Sequence, residues 1–225
     1  MSAAVPLLLA LHSSSETLAL GVQPLPAAGV PPAPAQLACH PLGRRLSNAL
    51  LPSLEALLPA EHWPRLARLV VATGPGGFTG TRLTVVFART LAQQLAIPLH
   101  GFSSFLLMAR RLGGEAGPLA AAPRFWLHQE LPRRGTVAGC YGADAQVCGG
   151  MAEVVVPRLF RPGEPLPWLA PSDQQSAPPA LPAQVEPEAD VAQLLDLGQR
   201  AHRAALAGPW QPVLPLYPTS PVEGL

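Results

Sequence analysis

The segment from residue 69 to residue 96 restricts the fold more than any other part of this sequence. Residues 69–72 are Leu-Val-Val-Ala, a short apolar run that is typical of a buried strand. A glycine-rich turn at 73–77 follows directly, and Thr79 offers a hydroxyl that suits the first position of a helix. Because a strand that leads through a tight turn into a helix is the unit of layered α/β proteins, the segment predicts an α/β lobe. The helix itself is predicted by side chains at helical spacing: Leu83, Val86, Phe87, Thr90, Leu91 and Leu95.

The composition supports a folded chain with ample material for a core. Of the 225 residues, 48% are hydrophobic and 13% are charged, which excludes global disorder and fits one ordinary domain or two small lobes. The 29 prolines are concentrated at 24–34 and 157–187, which we therefore expect to be loops. The net charge of +1 provides no overall field that would attract nucleic acid or anionic lipid.

Hydrophobic patterns outside the central segment predict two lobes, residues 1–104 and residues 105–225. In the first lobe, apolar runs at 7–11 and 17–22 predict a hairpin, and leucines at every fourth position predict a helix over 42–58. The other predicted elements are a strand at 37–40, an extended segment at 97–101, a helix at 103–112, strands at 125–128, 136–141 and 151–156, a helix at 188–207 and a last strand at 213–217.

Cysteine usage and the N-terminal residues predict a cytoplasmic protein. The three cysteines have no C-x-x-C spacing and cannot all pair with one another, so reduced thiols are expected. No basic residue precedes Arg44, so the apolar run near the N-terminus lacks the charged flank of a secretory signal. No apolar stretch approaches 18 residues, and we expect no membrane span.

The chemistry-bearing residue types are sparse in the first half of the chain. Lysine is absent throughout, and the first aspartate is Asp144, which leaves few groups to hold a magnesium–phosphate unit. The six histidines are scattered, and no pair has the spacing of helical metal ligands. We therefore expect no catalytic residue, no metal and no cofactor. A catalytic base at His12, where the first strand ends, is the alternative; a hydrogen-bonded structural histidine is the favoured interpretation.

The glycine-rich turn has two interpretations. It is either a tight corner that packs a strand against a helix, or an anion site at the start of that helix, to which Arg82 would contribute. The residues alone leave both open.

The full string GPGGFTGTRLTVVFARTLAQQLAIPLHGFSS closely resembles the hallmark segment of the TsaB family, whose usual form begins GPGSFTGLRIG. Gly77 stands in place of the family's serine, and Thr84 in place of its last glycine. The clear resemblance covers about residues 42–105 and is looser elsewhere. The matching positions are Gly74, Pro75, Gly76, Phe78, Thr79, Gly80 and Arg82.

The resemblance implies an actin-like, RNase H-like (ASKHA) fold of two lobes, here with a degenerate second lobe. It implies a bacterial scaffold subunit that dimerises with a TsaD-type catalytic subunit and works with a TsaE-type ATPase to form threonylcarbamoyl-adenosine in tRNA, touching tRNA only indirectly. The family's opening strand ends in Asp-Thr-Ser, but His12-Ser13-Ser14 stands at that place in this sequence. This departure argues against nucleotide binding.

In the resembling family the first helix forms much of the pairing surface, so we expect the leucine stripe of helix 42–58 to bind the partner. A homodimer through the same helix stays open, and so does a stripe that only covers the lobe's own sheet. The alternative function is a nucleotide-binding or nucleotide-hydrolysing ASKHA-type enzyme, or a peptidase-like one. The stripe consists of Leu42, Leu46, Leu50, Leu54 and Leu57.

Overall fold

The computed structural model describes residues 4–27, 29–169 and 177–218. The chain forms two compact units. The first contains the residues up to Ser104 together with Val185–Leu216, and the second contains Phe105–Gln184. Each unit is built around one β-sheet, and together they form the mixed α/β architecture that the sequence predicts.

The first unit has a five-stranded sheet in the order β3-β2-β1-β4-β5. The first three strands form an antiparallel meander, whereas β4 pairs parallel to β1 and β5 pairs parallel to β4. In the hairpin, Leu7 lies opposite Pro24 and His12 lies opposite Ala19. The elements of this unit are β1 (Leu7–His12), β2 (Thr17–Pro24), β3 (Gln36–Pro41), α1 (Leu46–Leu57), β4 (Leu66–Ala72), α2 (Phe78–Leu95), β5 (Leu99–Phe102) and, from the end of the chain, α4 (Pro187–Arg203).

Strand β1 lies at the centre of this sheet and is buried on both faces. Its odd-numbered leucines belong to the core that α1 and α2 cover. On the opposite face, Leu8 packs so closely on α4 that a Cβ placed on Gly198 would lie 2.7 Å from its Cδ1. Burial on both faces explains why the strand reads as a continuous apolar run and not as an alternating one.

Helix α4 corrects the predicted lobe boundary. The sequence places this helix in the second lobe, but it packs on β1, β2 and β4 of the first sheet. The chain therefore returns to the first unit after Gln184. The apolar side of α4 needs an uncovered sheet face, which β1 and β4 supply. Four of its buried apolar side chains are Val191, Leu194, Leu195 and Leu197.

The segment after α4 lies against strand β5 without forming a strand of its own. The Leu99 amide donates to the Gly208 carbonyl at 2.8 Å, and the Leu216 amide donates to the Thr73 carbonyl at 2.7 Å. The strand predicted at 213–217 is therefore wrong, because this segment makes isolated hydrogen bonds and not a ladder.

The second unit has a four-stranded sheet in the order β8-β7-β6-β9. Its helix packs on one face, where a Cβ on Gly113 would lie 2.7 Å from the Met151 Cε and 2.9 Å from the Phe125 Cε1. The predicted strands are present and longer than expected. The elements are α3 (Ser104–Gly113), β6 (Arg124–Leu131), β7 (Gly135–Ala143), β8 (Met151–Phe160) and β9 (Ala180–Pro182).

The proline-rich region 157–187 is only partly a loop. Strand β8 extends to Phe160, and β9 adds a short parallel partner to β6. Between them, Trp168 packs on the other face of the sheet, with its ring centroid 5.2 Å from that of Trp126 and 5.5 Å from that of His128. No helix among the described residues is long and apolar enough to cross a bilayer.

Candidate functional site: the glycine-rich turn and the face of the first two helices

The glycine-rich turn is a tight corner fixed by backbone hydrogen bonds. The Ser104 amide donates to the Gly74 carbonyl at 2.7 Å, and the Gly77 amide donates to the Ser14 carbonyl at 3.0 Å. A Cβ on Gly76 would lie 2.2 Å from the Ser14 carbonyl oxygen, so a glycine is required there. Gly74 has φ +99° and precedes Pro75 through a cis peptide bond. This geometry corresponds to the packing interpretation of the turn.

Hydroxyl side chains fill the space between the turn and the end of β1. The Ser13 hydroxyl donates to the Thr84 Oγ1 at 2.7 Å, and the Ser14 and Ser104 hydroxyls form a second hydrogen bond. All four side chains are buried. Small polar groups that pair with one another therefore fill this space, and none of the four is a carboxylate. No group of three or more His, Cys, Asp or Glu residues suited to a metal occurs in the described part of the chain.

His12 is fully buried at the end of β1, with 0% of its surface exposed. The structural interpretation predicted hydrogen bonds for this ring, but among the described residues neither of its nitrogens has a partner. Burial lowers the pKa of His12 to about 4, so the ring is neutral at physiological pH. A side chain with no exposed surface cannot meet a substrate, and this argues against the alternative of a catalytic base.

The predicted partner-binding leucines lie in the core of the first unit or pack against it. Leu46, Leu50 and Leu54 lie on the buried side of α1. Leu42 and Leu57 are half-buried and pack against the same core. The stripe faces inward because the apolar side chains of β2 and the neighbouring strands require a cover. Leu46, Leu50 and Leu54 are therefore not available to a partner, whereas Leu42 and Leu57 remain partly exposed.

The outer side of the first two helices carries apolar side chains of its own. Leu51 on α1 is 48% exposed, and Phe78 and Val86 on α2 are 42% and 49% exposed. The two helices contact each other, and Leu83 is half-buried on α2. We call these four residues the α1/α2 face. Single exposed apolar residues are ordinary, but a group on two adjoining helices is typical of an interaction surface.

A cavity of about 500 Å³ lies between the first turns of α1 and α2, next to the turn that joins β1 and β2. Its walls are mostly apolar, and its charged groups are Glu16 and Arg44. The lining residues are Ser15, Glu16, Leu18, Gly43, Arg44, Leu46, Ser47, Gly77, Phe78, Thr79, Gly80 and Leu83. Four residues of the glycine-rich segment, Gly77, Phe78, Thr79 and Gly80, are thus brought together with the start of α1. Arg82 is exposed one turn further along α2.

Sequence reasoning did not identify the part of the α1/α2 face that lies on α2. The buried residues of this helix are Thr81, Thr84, Val85, Ala88, Leu91 and Ala92, whereas the apolar Phe78 and Val86 are exposed. The helix therefore has apolar surface that its own core does not use. Such a pattern indicates a second contact surface.

Comparisons with known proteins agree with this fold. Residues 41–126 match the family described as "TsaD: tRNA N6-adenosine threonylcarbamoyltransferase". The chain is 38% identical over 121 residues to the tRNA threonylcarbamoyladenosine biosynthesis protein TsaB of Bacillus subtilis (strain 168). That alignment covers 52% of this chain and 47% of the relative, about half the length of each.

Two crystal structures from Pseudomonas aeruginosa resemble the whole chain. One is described as an uncharacterized protein with similarity to peptidase YeaZ, with a TM-score of 0.69 at 22% identity over 95% of this chain and 100% of that chain. The other is YeaZ, with a TM-score of 0.66 at 22% identity over 94% and 99%. At this identity the structures establish the fold, which is the actin-like, ASKHA-type architecture expected from the sequence. The chain is thus similar to a TsaB protein in the sequence of about half its length, and to the two Pseudomonas aeruginosa structures in its fold.

Proposed function

We propose that this protein is a non-catalytic scaffold subunit of the machinery that forms threonylcarbamoyl-adenosine in tRNA. It dimerises with a TsaD-type catalytic subunit, and a TsaE-type ATPase completes the assembly in the cytoplasm. The observation that carries the proposal is the similarity to the Bacillus subtilis TsaB, which is described as a tRNA threonylcarbamoyladenosine biosynthesis protein. The end of β1 supports it, because His12 stands where the resembling family has an aspartate, and a carboxylate is what would hold a magnesium–phosphate group there.

The docking surface in this proposal is the α1/α2 face and not the buried leucine stripe. Leu51, Phe78 and Val86 present apolar side chains to solvent on helices whose inner sides are already packed. The glycine-rich turn has a positioning role, because its hydrogen bonds to Ser14 and Ser104 fix where α2 begins. The direct partner is a protein, and contact with tRNA is made through the assembly.

The proposal is tested by co-purifying the full chain with the TsaD-type protein encoded in the same genome. We expect Leu51→Glu and Val86→Glu each to weaken association by about 10-fold or more, since each removes roughly 1.5 to 3 kcal/mol of apolar burial and adds a charge. Leu214→Glu and Val154→Glu are matched controls, because Leu214 is 58% exposed and Val154 is 44% exposed on other elements. The controls should leave association unchanged.

Two outcomes contradict the proposal. Retained association of both face variants would mean that the partner binds elsewhere. Magnesium-dependent ATP turnover by the purified chain alone, abolished by a change at Gly76 or Arg82, would identify an enzyme in place of a scaffold. Formation of the modified nucleoside should require this chain and the TsaD-type protein together.

A further inference from the structure

Positive charge is concentrated on the two helices that carry the α1/α2 face. Residues 43–57 and 78–95 contain four arginines and one glutamate, a net charge of +3, whereas the whole chain has a net charge of +1. Helix α2 has no acidic residue. The first turn of α1 and the 3₁₀ turn before it have none either, so the basic side chains there are not balanced locally. The arginines are Arg44, Arg45, Arg82 and Arg89, and the glutamate is Glu55.

Three of these arginines are exposed and unneutralised. Among the described residues, no carboxylate lies within ion-pair distance of Arg44, Arg45 or Arg82. Arg200, by contrast, pairs with Asp196 at 2.7 Å. The fourth arginine of the group, Arg89, lies over the Trp210 ring at 5.4 Å and is already engaged.

The unneutralised arginines border the apolar part of the face. Arg44 lines the cavity together with Phe78. Arg82 follows Phe78 by four residues on α2, a spacing that places the two side chains next to each other on the helix surface. Glu16 is the one acidic residue in the cavity wall. Arg44 and Arg82 thus lie next to the apolar Phe78 at the start of the two helices.

We propose that the surface which docks here is an apolar protein surface with carboxylates opposite Arg44, Arg45 and Arg82. This inference rests on the proposed function and specifies the chemistry of the partner. A protein fits better than a nucleic acid, because a phosphate backbone would satisfy the arginines but would leave Leu51 and Val86 uncovered. Burying three unpaired guanidinium groups beside apolar side chains would be costly, so the partner must supply the compensating charges.

The physical consequence is electrostatic steering of association. Opposite charges on two approaching surfaces raise the association rate constant, and added salt screens the effect. The apolar contacts act mainly on dissociation and depend little on salt. Charge and apolar contributions are therefore separable in one kinetic experiment.

The experiment measures association and dissociation rate constants of the full chain with the TsaD-type protein at about 50 mM and about 500 mM salt. We expect Arg44→Glu and Arg82→Glu each to lower the association rate constant by about 3- to 10-fold at low salt, with most of the difference lost at high salt. The neutral variants Arg44→Gln and Arg82→Gln should have smaller effects in the same direction. Arg203→Glu is the matched control, because Arg203 is an exposed arginine at the end of α4, on the opposite face of the sheet. Circular dichroism of each variant verifies the fold.

The outcomes separate this inference from the proposed function. Association that is insensitive to salt and to both charge reversals contradicts the inference while the proposed function stands. If the wild-type chain does not associate at either salt concentration, both fail. If the reversals abolish binding of free tRNA and leave protein association unchanged, the arginines serve RNA and the inference is wrong.

Discussion

Replacing His12 with leucine should change the response of stability to acid. His12 is fully buried, and its pKa is lowered from 6.5 to about 4 by burial. A histidine whose pKa is lower in the folded state binds fewer protons there than in the unfolded state at pH values between the two pKa values. Stability therefore falls as the pH drops from about 6.5 towards 4, and the contribution is fully lost below the lower value.

The pKa shift sets the size of the effect. Between about pH 7.5 and pH 5.0, the titration of His12 should remove about 2 kcal/mol from the free energy of unfolding, out of about 3 kcal/mol in total. His12→Leu removes this titration. It also removes two buried ring nitrogens that have no partner among the described residues, so the variant should be neutral or more stable by about 1 kcal/mol at neutral pH.

The assay is urea unfolding of both proteins at a series of pH values, followed by circular dichroism. Burial and then the nearby Arg68 lower the pKa of His100 to about 4 as well, and its contribution is present in both proteins. The difference between the two stability curves therefore isolates His12. An unchanged dependence of the free energy on urea concentration verifies that the variant unfolds to the same degree. Parallel stability curves from neutral pH to pH 5 would refute the reasoning, since they would mean that His12 is charged or hydrated in the folded protein.

Three further substitutions test the packing. Gly76→Ala places a methyl group 2.2 Å from the Ser14 carbonyl and should destabilise the first unit by about 3 kcal/mol in urea unfolding; a loss below about 0.5 kcal/mol would mean that the turn is loose. Leu54→Ala should cost about 3 kcal/mol, because its side chain is fully buried, and a small loss would contradict the inward orientation of the stripe. Trp168→Ala should lower the thermal midpoint, because the ring packs on Trp126; an unchanged midpoint would mean that the two rings are not in contact.

The parts of the fold that the sequence predicts best are those in which local pattern and tertiary burial agree. Strands β1 and β4 are buried on both faces, so they read as unbroken apolar runs. The turn before α2 can be predicted from the sequence because close backbone contacts require its glycines, as at Gly76. In each case the residue type is determined by contacts that leave few alternatives.

The errors arise where the decision depends on distant parts of the chain. Helix α4 is readable as an amphipathic helix, but its own residues do not reveal which sheet has a free face. Trp168 lies in a proline-rich stretch that predicts a loop, and its place is set by the rings of Trp126 and Phe160, on which it packs. Both placements depend on surface that elements far away in the sequence leave uncovered.

Helix α1 illustrates the same limit at the candidate site. Periodicity separates its two sides, with Leu46, Leu50 and Leu54 on one and Leu51 on the other, but it does not say which side meets the sheet. The pattern predicts that the larger apolar stripe binds the partner. The lobe's own core, which forms in every copy of the protein, buries that stripe first. On a small α/β unit, a binding face is thus better sought among the apolar residues that are not needed to fill the core. On α1 and α2 some of these remaining residues lie beside exposed arginines, and this combination of apolar and charged groups is more typical of a protein-binding surface than a high number of leucines is.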